Sequence, residues 1–303
     1  MFVIFSILIG VIIFFVGIFI ITNSMSKLSN NHFKNFIMKL TKNPLLGALA
    51  GIIVTTLTQS SSTTSILVVS LVNSRIINLY QAVPVIMGAN IGTTFTAQLI
   101  SFDFFFLIPY ILILGTILFF LRFKNIGKFL IGFSFLFLGI KFMVYSLKPL
   151  KDLMSFKSLI LSIENNSLKG VFIGIITTAI MQSSSTSVAI IQSLAIGGLI
   201  NIYQAVPIIM GQNIGTCVTT LLSSIATDKN GKRTAIIHLF FNIIGTLIFY
   251  PFINLFSYFI YKLTPFDPVR QIANAHSLFN IINVILLFPF INLMVFISKK
   301  VVR

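Results

Sequence analysis

Acid is scarce in this chain: its 303 residues hold 5 Asp and Glu against 21 Lys and Arg. Charged residues of both signs make up 9%, where a soluble domain carries about 25%. That shortage excludes a water-soluble fold. The few acids, Asp103, Asp152, Glu164, Asp228 and Asp267, all fall at loops or segment ends. A carboxylate proton relay is thereby excluded, and neutral oxygens are left to hold any coupling cation. One cysteine, Cys217, excludes an intrachain disulfide and reads as a small buried residue. No nucleophile–base pair and no metal-ligand cluster appears, which argues against an enzyme, a cofactor and a transition-metal site. The formal net charge of +16 would suggest nucleic acid in a soluble chain. Here the bases are scattered between apolar segments with no basic face, so membrane topology explains them and nucleic acid is not a partner.

What is abundant is apolar, at 56% of residues. Stretches 1–22, 104–121, 126–147, 233–257 and 271–297 are long enough, or nearly so, to cross about 30 Å of hydrocarbon as helices. The apolar N-terminus lacks the basic region of a cleaved signal peptide, and Lys27 and Lys34 follow it instead, as behind a retained first helix. The reading is an all-α polytopic membrane protein in contact with the lipid bilayer.

Two stretches nearly copy each other. Residues 47–101 align without a gap onto 170–224, shifted by 123, with roughly half the positions identical. Gln59-Ser60-Ser61-Ser62-Thr63 returns as Gln182-Ser183-Ser184-Ser185-Thr186, Tyr80-Gln81-Ala82-Val83-Pro84 as Tyr203 to Pro207, and Gly88-x-Asn90-Ile91-Gly92-Thr93 as Gly211-x-Asn213-Ile214-Gly215-Thr216. Segment order extends the duplication. Residues 1–122 form a first repeat: a helix, a basic connector at 25–43, a hairpin at about 45–75, a broken helix at about 78–100 interrupted near Gly88–Gly92, and a helix at 104–121. Residues 123–225 form a second repeat, with a hairpin at about 170–198 and a broken helix at about 201–224. Residues 226–303 add two transmembrane helices. In these, Ala235-x-x-His238-x-x-Phe241-Asn242 with Pro251-Phe252 recurs 38 residues on as Ala273-x-x-His276-x-x-Phe279-Asn280 with Pro289-Phe290. His238 and His276 are functional suspects as ionisable groups within a membrane, and read first as structural groups bonding neighbouring helices, their role left open.

Helix 1 and its copy are separated by three crossings if the hairpin is re-entrant and five if it spans twice. Both are odd, so the repeats are inverted relative to each other. With the N-terminus outside and the C-terminus in the cytoplasm, fourteen Lys and Arg lie inside and six outside, with Lys141 within a helix.

Within a bilayer every backbone polar group needs a partner. A Gln-Ser-Ser-Ser turn breaks the chain at a polar point, and the arm after it presents helix N-terminal amides that attract anions. Two such tips from opposite faces would surround one tetrahedral oxyanion with hydroxyl and N–H donors. Gln59, Ser60, Ser61, Ser62 and Thr63 with Gln182, Ser183, Ser184, Ser185 and Thr186 are the candidate anion set. Gln59, Asn90, Thr93, Gln182, Asn213 and Thr216 are the candidate sodium set, beside glycines that allow an unwound backbone. As a competing reading, those glycines mark close helix packing.

At these residues the chain resembles the sodium-dependent phosphate cotransporter family, the bacterial relatives of the animal type II sodium–phosphate cotransporters. Gln59–Ser62 and Gln182–Ser185, each followed by Gly-x-Asn-Ile-Gly-Thr, carry the resemblance over essentially the whole chain. It implies sodium-coupled transport of inorganic phosphate across the cell membrane by alternating access, with phosphate and sodium contacts at both turns and their Asn and Thr partners. Other oxyanions (sulfate, arsenate) and a non-transporting phosphate sensor are the alternatives. Many bacterial relatives carry a PhoU-like regulatory domain after the membrane part. This sequence stops at Arg303, so that mode of regulation is expected to be absent or supplied by a separate PhoU-like protein, and a homo-oligomer is left open.

Overall fold

The computed structural model describes residues 2–25 and 30–303. Lys27 of the basic connector lies outside them. The regular structure of the described residues is helical throughout, as an apolar sequence with internal backbone pairing requires.

Helix α1 (Phe2–Met25) lies along α7 (Lys124–Leu147), the element at the matching place in the second half. Between them come α2 (Asn30–Leu40), α3 (Pro44–Thr58), α4 (Ser61–Asn73), α5 (Leu79–Ile100) and α6 (Ile108–Phe120). After α7 a 3-10 turn at Lys148–Asp152 leads into α8 (Met154–Asn165), α9 (Ser167–Met181), α10 (Ser184–Ile196) and α11 (Ile202–Ser224). The chain closes with α12 (Lys229–Phe249), α13 (Ile253–Leu263), α14 (Pro268–Leu287) and α15 (Ile291–Val301).

Side chains set these boundaries. Asn43 and Asn166 accept backbone N–H groups at the starts of α3 and α9. Asn78 with Gln81, and Asn201 with Gln204, form reciprocal capping boxes at the starts of α5 and α11. Six helical segments are long and apolar enough to cross a membrane: 5–24, 79–100, 124–152, 202–224, 229–263 and 268–301. The hairpin arms are shorter. Helix α3, at 15 residues, rises about 22 Å and α4, at 13, about 20 Å, short of the roughly 30 Å hydrocarbon core.

Three expectations change. Helices α5 and α11 run unbroken through Gly88–Gly92 and Gly211–Gly215. The glycines serve packing instead: a Cβ on Gly88 would overlap the Ala48 carbonyl of α3, and one on Gly211 the Val171 carbonyl of α9. The breaks fall in the C-terminal spans. Pro251 and Pro289 lack the N–H that a continuous helix needs, and one-turn 3-10 segments separate α12 from α13 and α14 from α15. Helix α6 is shorter than 104–121 predicts. Asp103 Oδ1 accepts the Phe105 N–H at 3.4 Å in a turn, and the helix starts beside Pro109.

Two apolar cores hold the bundle. Phe14, Phe137 and Phe279 centre one, joining α1, α7, α10, α11 and α14. Ile37, Met87 and Phe241 centre the other, joining α2, α3, α4, α5 and α12. Hairpin arm α4 packs on α11, and arm α10 packs on α5.

Candidate functional site

The two Gln-Ser-Ser-Ser turns fold alike. Gln59 ends α3 at φ 52°, ψ 26°, and Gln182 ends α9 at φ 52°, ψ 21°. A left-handed residue turns the chain abruptly, and Ser60 and Ser183 then take extended conformations as N-caps of the next helix. Ser60 Oγ accepts the Thr63 N–H at 3.1 Å and the Thr63 hydroxyl at 2.9 Å. Ser183 Oγ accepts the Thr186 N–H at 3.3 Å and pairs with the Thr186 hydroxyl at 2.9 Å. Behind each turn a hydroxyl bond ties the arms together: Thr55 Oγ1 to Thr64 Oγ1, and Thr178 Oγ1 to Ser187 Oγ, both 2.8 Å.

Each tip reaches a helix of the other half. Ser62 Oγ pairs with Thr219 Oγ1 of α11 at 3.0 Å. Ser185 Oγ pairs with Thr96 Oγ1 of α5 at 3.3 Å and lies 3.5 Å from the Gln59 carbonyl. Positions 62 and 185, and 96 and 219, are the same positions under the 123-residue offset. Thr96 Oγ1 also donates to Gln59 Oε1 at 2.6 Å, while Gln59 Nε2 donates to the Thr56 carbonyl at 2.6 Å. With the Thr96 proton committed to Gln59, the single Ser185 hydroxyl proton is shared between Thr96 Oγ1 and the Gln59 carbonyl. The tips are thus hydroxyl-rich and neutral. Ser61 and Ser184 are buried in the first turns of α4 and α10, and Ser61 Oγ, with Ser65 Oγ one turn on, is buried without a partner.

The proposed cation ligands are placed differently. Asn90 and Asn213 are buried, and their Nδ2 groups donate to the Ile86 and Ile209 carbonyls at 3.0 and 2.9 Å. Thr216 Oγ1 donates to the Gln212 carbonyl at 2.9 Å, and Thr93 Oγ1 is buried with no partner. All four bond within their own helices or not at all, and none is hydrogen-bonded to a tip. Gln182 is exposed, with no side-chain hydrogen bond among the described residues, in contrast to Gln59.

Sequence reasoning missed Thr96 and Thr219. Their signal was identity at the same offset, one helical turn beyond Thr93 and Thr216. Gln81 and Gln204 serve as caps, closing the capping boxes at the starts of α5 and α11. His238 Nδ1 meets Thr220 Oγ1 at 2.9 Å, Cys217 Sγ lies 3.5 Å from the His238 carbonyl, and Asn242 Nδ2 lies 3.3 Å from Cys217 Sγ. This buried cluster ties α12 to α11. His276 Nδ1 is buried without a partner.

A family model described as Na+/Pi-cotransporter matches residues 13–145 and again 150–286. The uncharacterized protein YqeW of Bacillus subtilis is 28% identical over 268 residues, 87% of each chain. The putative inorganic phosphate export protein YjbB of Escherichia coli is 29% identical over 223 residues, 72% of this chain but 41% of the relative. The sodium-dependent phosphate transport protein 2A of Rattus norvegicus is 40% identical over 98 residues, 30% of this chain and 15% of the relative. No solved structure matches the chain. The family is one of transporters rather than enzymes, and the apolar helices make this member a multi-pass membrane protein. By two matches that together cover most of its length, the chain belongs to the Na+/Pi-cotransporter family.

Proposed function

We propose that this protein moves inorganic phosphate across the cytoplasmic membrane, coupled to sodium, by alternating access, and that phosphate is held between the two Gln-Ser-Ser-Ser tips. The observation that carries this reading is the reciprocal pair Ser62–Thr219 and Ser185–Thr96. A substrate held there touches both halves at once, so their relative motion changes its exposure. Helix N-termini and hydroxyls supply donors without a fixed charge, which suits an oxyanion that must also leave. Two arms too short to span support re-entrant hairpins. Crossing parity and the Lys and Arg bias support their entry from opposite faces, the first from the cytoplasm.

The unbroken α5 and α11 sharpen the cation reading. With no freed carbonyls at Gly88–Gly92 or Gly211–Gly215, sodium is left the side-chain oxygens of Gln59, Asn90, Thr93, Gln182, Asn213 and Thr216. The unpartnered Thr93 Oγ1 and the unanchored Gln182 are the first two of these to substitute. Names among the relatives span export and sodium-dependent transport, and in this reading the prevailing gradients set the direction.

Counterflow of labelled phosphate in proteoliposomes tests the proposal. Flux is expected with sodium and lost when potassium replaces it. Flux indifferent to that exchange removes the coupling. Equal competition by sulfate removes the phosphate preference, and binding without flux reduces the protein to a sensor.

A further inference from the structure

The first hairpin ends on a cation in an unusual conformation. Arg75, two residues beyond α4, has φ 57°, while the aligned position in the second half is Gly198 at φ 66°. A left-handed turn that glycine makes without steric cost is made here by arginine. Arg75 lines a cavity of about 360 Å³ with Asn78, Tyr80, Gln81, Asn230 and Lys299. Three separated parts of the chain meet there: the hairpin exit, the start of α12 and the end of α15. Lys299 Nζ stands 5.6 Å from the centre of the Tyr80 ring. Among the described residues neither Arg75 nor Lys299 has a carboxylate partner. Asp228 Oδ1, close by in the chain, is occupied by the N–H groups of Asn230 and Gly231 at 2.8 and 2.9 Å.

The carboxamides around the cavity are oriented by their other bonds. Gln81 Oε1 accepts the Asn78 N–H at 2.9 Å, Asn78 Oδ1 accepts the Gln81 N–H at 3.0 Å, and Asn230 Oδ1 accepts Arg233 Nη1 at 2.9 Å. The oxygens are used, and the three amide nitrogens remain as donors. The cavity is thus lined by donors and two cations, the complement of an oxyanion.

The second half holds its counterpart and lacks this chemistry. Residues 198–204, aligned to 75–81, line a cavity of about 580 Å³ with Tyr261, Phe266 and Gln271, and no charged side chain lines it. Its matching amide, Gln204 Nε2, is taken by Glu164 Oε2 at 2.8 Å. One frame is built twice, and only the first copy sets cations around it and leaves its glutamine amide free.

We propose that the Arg75–Lys299 cavity is a second site for a phosphate group, separate from the hairpin tips. Free inorganic phosphate and the headgroup of an anionic lipid share that chemistry. The site does not depend on transport, because binding is read without flux.

The test uses the purified full chain in detergent. Equilibrium dialysis with labelled inorganic phosphate at low ionic strength reads stoichiometry. Native mass spectrometry reads retention of phosphatidylglycerol against phosphatidylcholine. Arg75→Gly relieves the left-handed arginine, so its ligand-free melting temperature is expected to equal or exceed that of the wild type, and lost binding is then not misfolding. Lys299→Gln gives an independent variant. If the ligand is free phosphate, each variant loses one of two phosphate equivalents or weakens it at least tenfold, while Ser61→Ala affects the other. If it is a headgroup, each variant loses the phosphatidylglycerol preference with phosphate stoichiometry unchanged. A double variant Arg75→Gly/Lys299→Gln that changes neither measurement overturns the proposal.

Discussion

Two glutamines occupy backbone positions that suit glycine. Gln59 and Gln182 both stand at φ 52°, where a side chain costs about 1–2 kcal/mol. Gln59 recovers part of that through Thr96 and Thr56, whereas Gln182 makes no side-chain bond. Gln182→Gly is therefore expected to raise ligand-free thermal stability while weakening the stabilisation given by sodium with phosphate. Scanning fluorimetry checks both, and an undiminished ligand response would remove Gln182 from the site. Thr96 and Thr219 define a second comparison. Thr96→Val loses bonds to Gln59 and Ser185, and Thr219→Val loses bonds to Ser62 and to the Thr216 carbonyl of its own helix. The Thr216 carbonyl lies inside α11, where the helix backbone also pairs it, whereas Gln59 Oε1 is left without its donor; at about 0.5–1.5 kcal/mol per bond the Thr96 variant is therefore expected to melt lower. Equal melting temperatures would show that Gln59 does not use its hydroxyl. The serines were legible because three consecutive hydroxyls exceed what one helix contact needs. Thr96 was not, because a lone threonine in a membrane helix commonly bonds its own backbone, and only the partner across the bundle distinguishes it.

The α3–α5 and α9–α11 pairs depend on backbone-to-backbone approach. Gly88→Ala or Gly211→Ala forces a methyl into a carbonyl of the facing helix, an overpacking cost of about 1–3 kcal/mol. Gly197→Ala is the control, because its Cβ would meet nothing nearer than 3.5 Å. Melting temperatures are expected to fall for the first two and hold for the third. An unaffected Gly88→Ala would mean that α3 and α5 are farther apart than described. The hairpin turns were readable from the polar knots alone. The run of α5 was not, because Gly-x-Asn-Ile-Gly-Thr has one composition whether the backbone unwinds or another helix presses against it. Burial against α3 decides. The C-terminal breaks had a local cause in Pro251 and Pro289, repeated 38 residues apart, which the apolar runs through them obscured.

At the scale of the whole molecule, the duplication implies two hairpins opening to opposite faces. Lys42→Cys, just before α3, and Lys169→Cys, at the start of α9, test this. Cys217 is buried, so the native chain gives a quiet background for a membrane-impermeant maleimide. Lys169→Cys is expected to label from outside intact cells and Lys42→Cys only after permeabilisation. Labelling of both from one side would end the inverted arrangement. The sequence by itself determined the membrane class, through scarcity of charge. It also determined the location of the polar turns and the pairing of positions 123 apart, because these are properties of residue type and order. Tertiary structure alone decided which hydroxyls meet, that the glycines pack rather than unwind, and that only one of two like cavities gathers cations from distant parts of the chain. Those outcomes depend on which groups from distant parts of the chain occupy each other's hydrogen bonds and van der Waals space, and no local pattern encodes that.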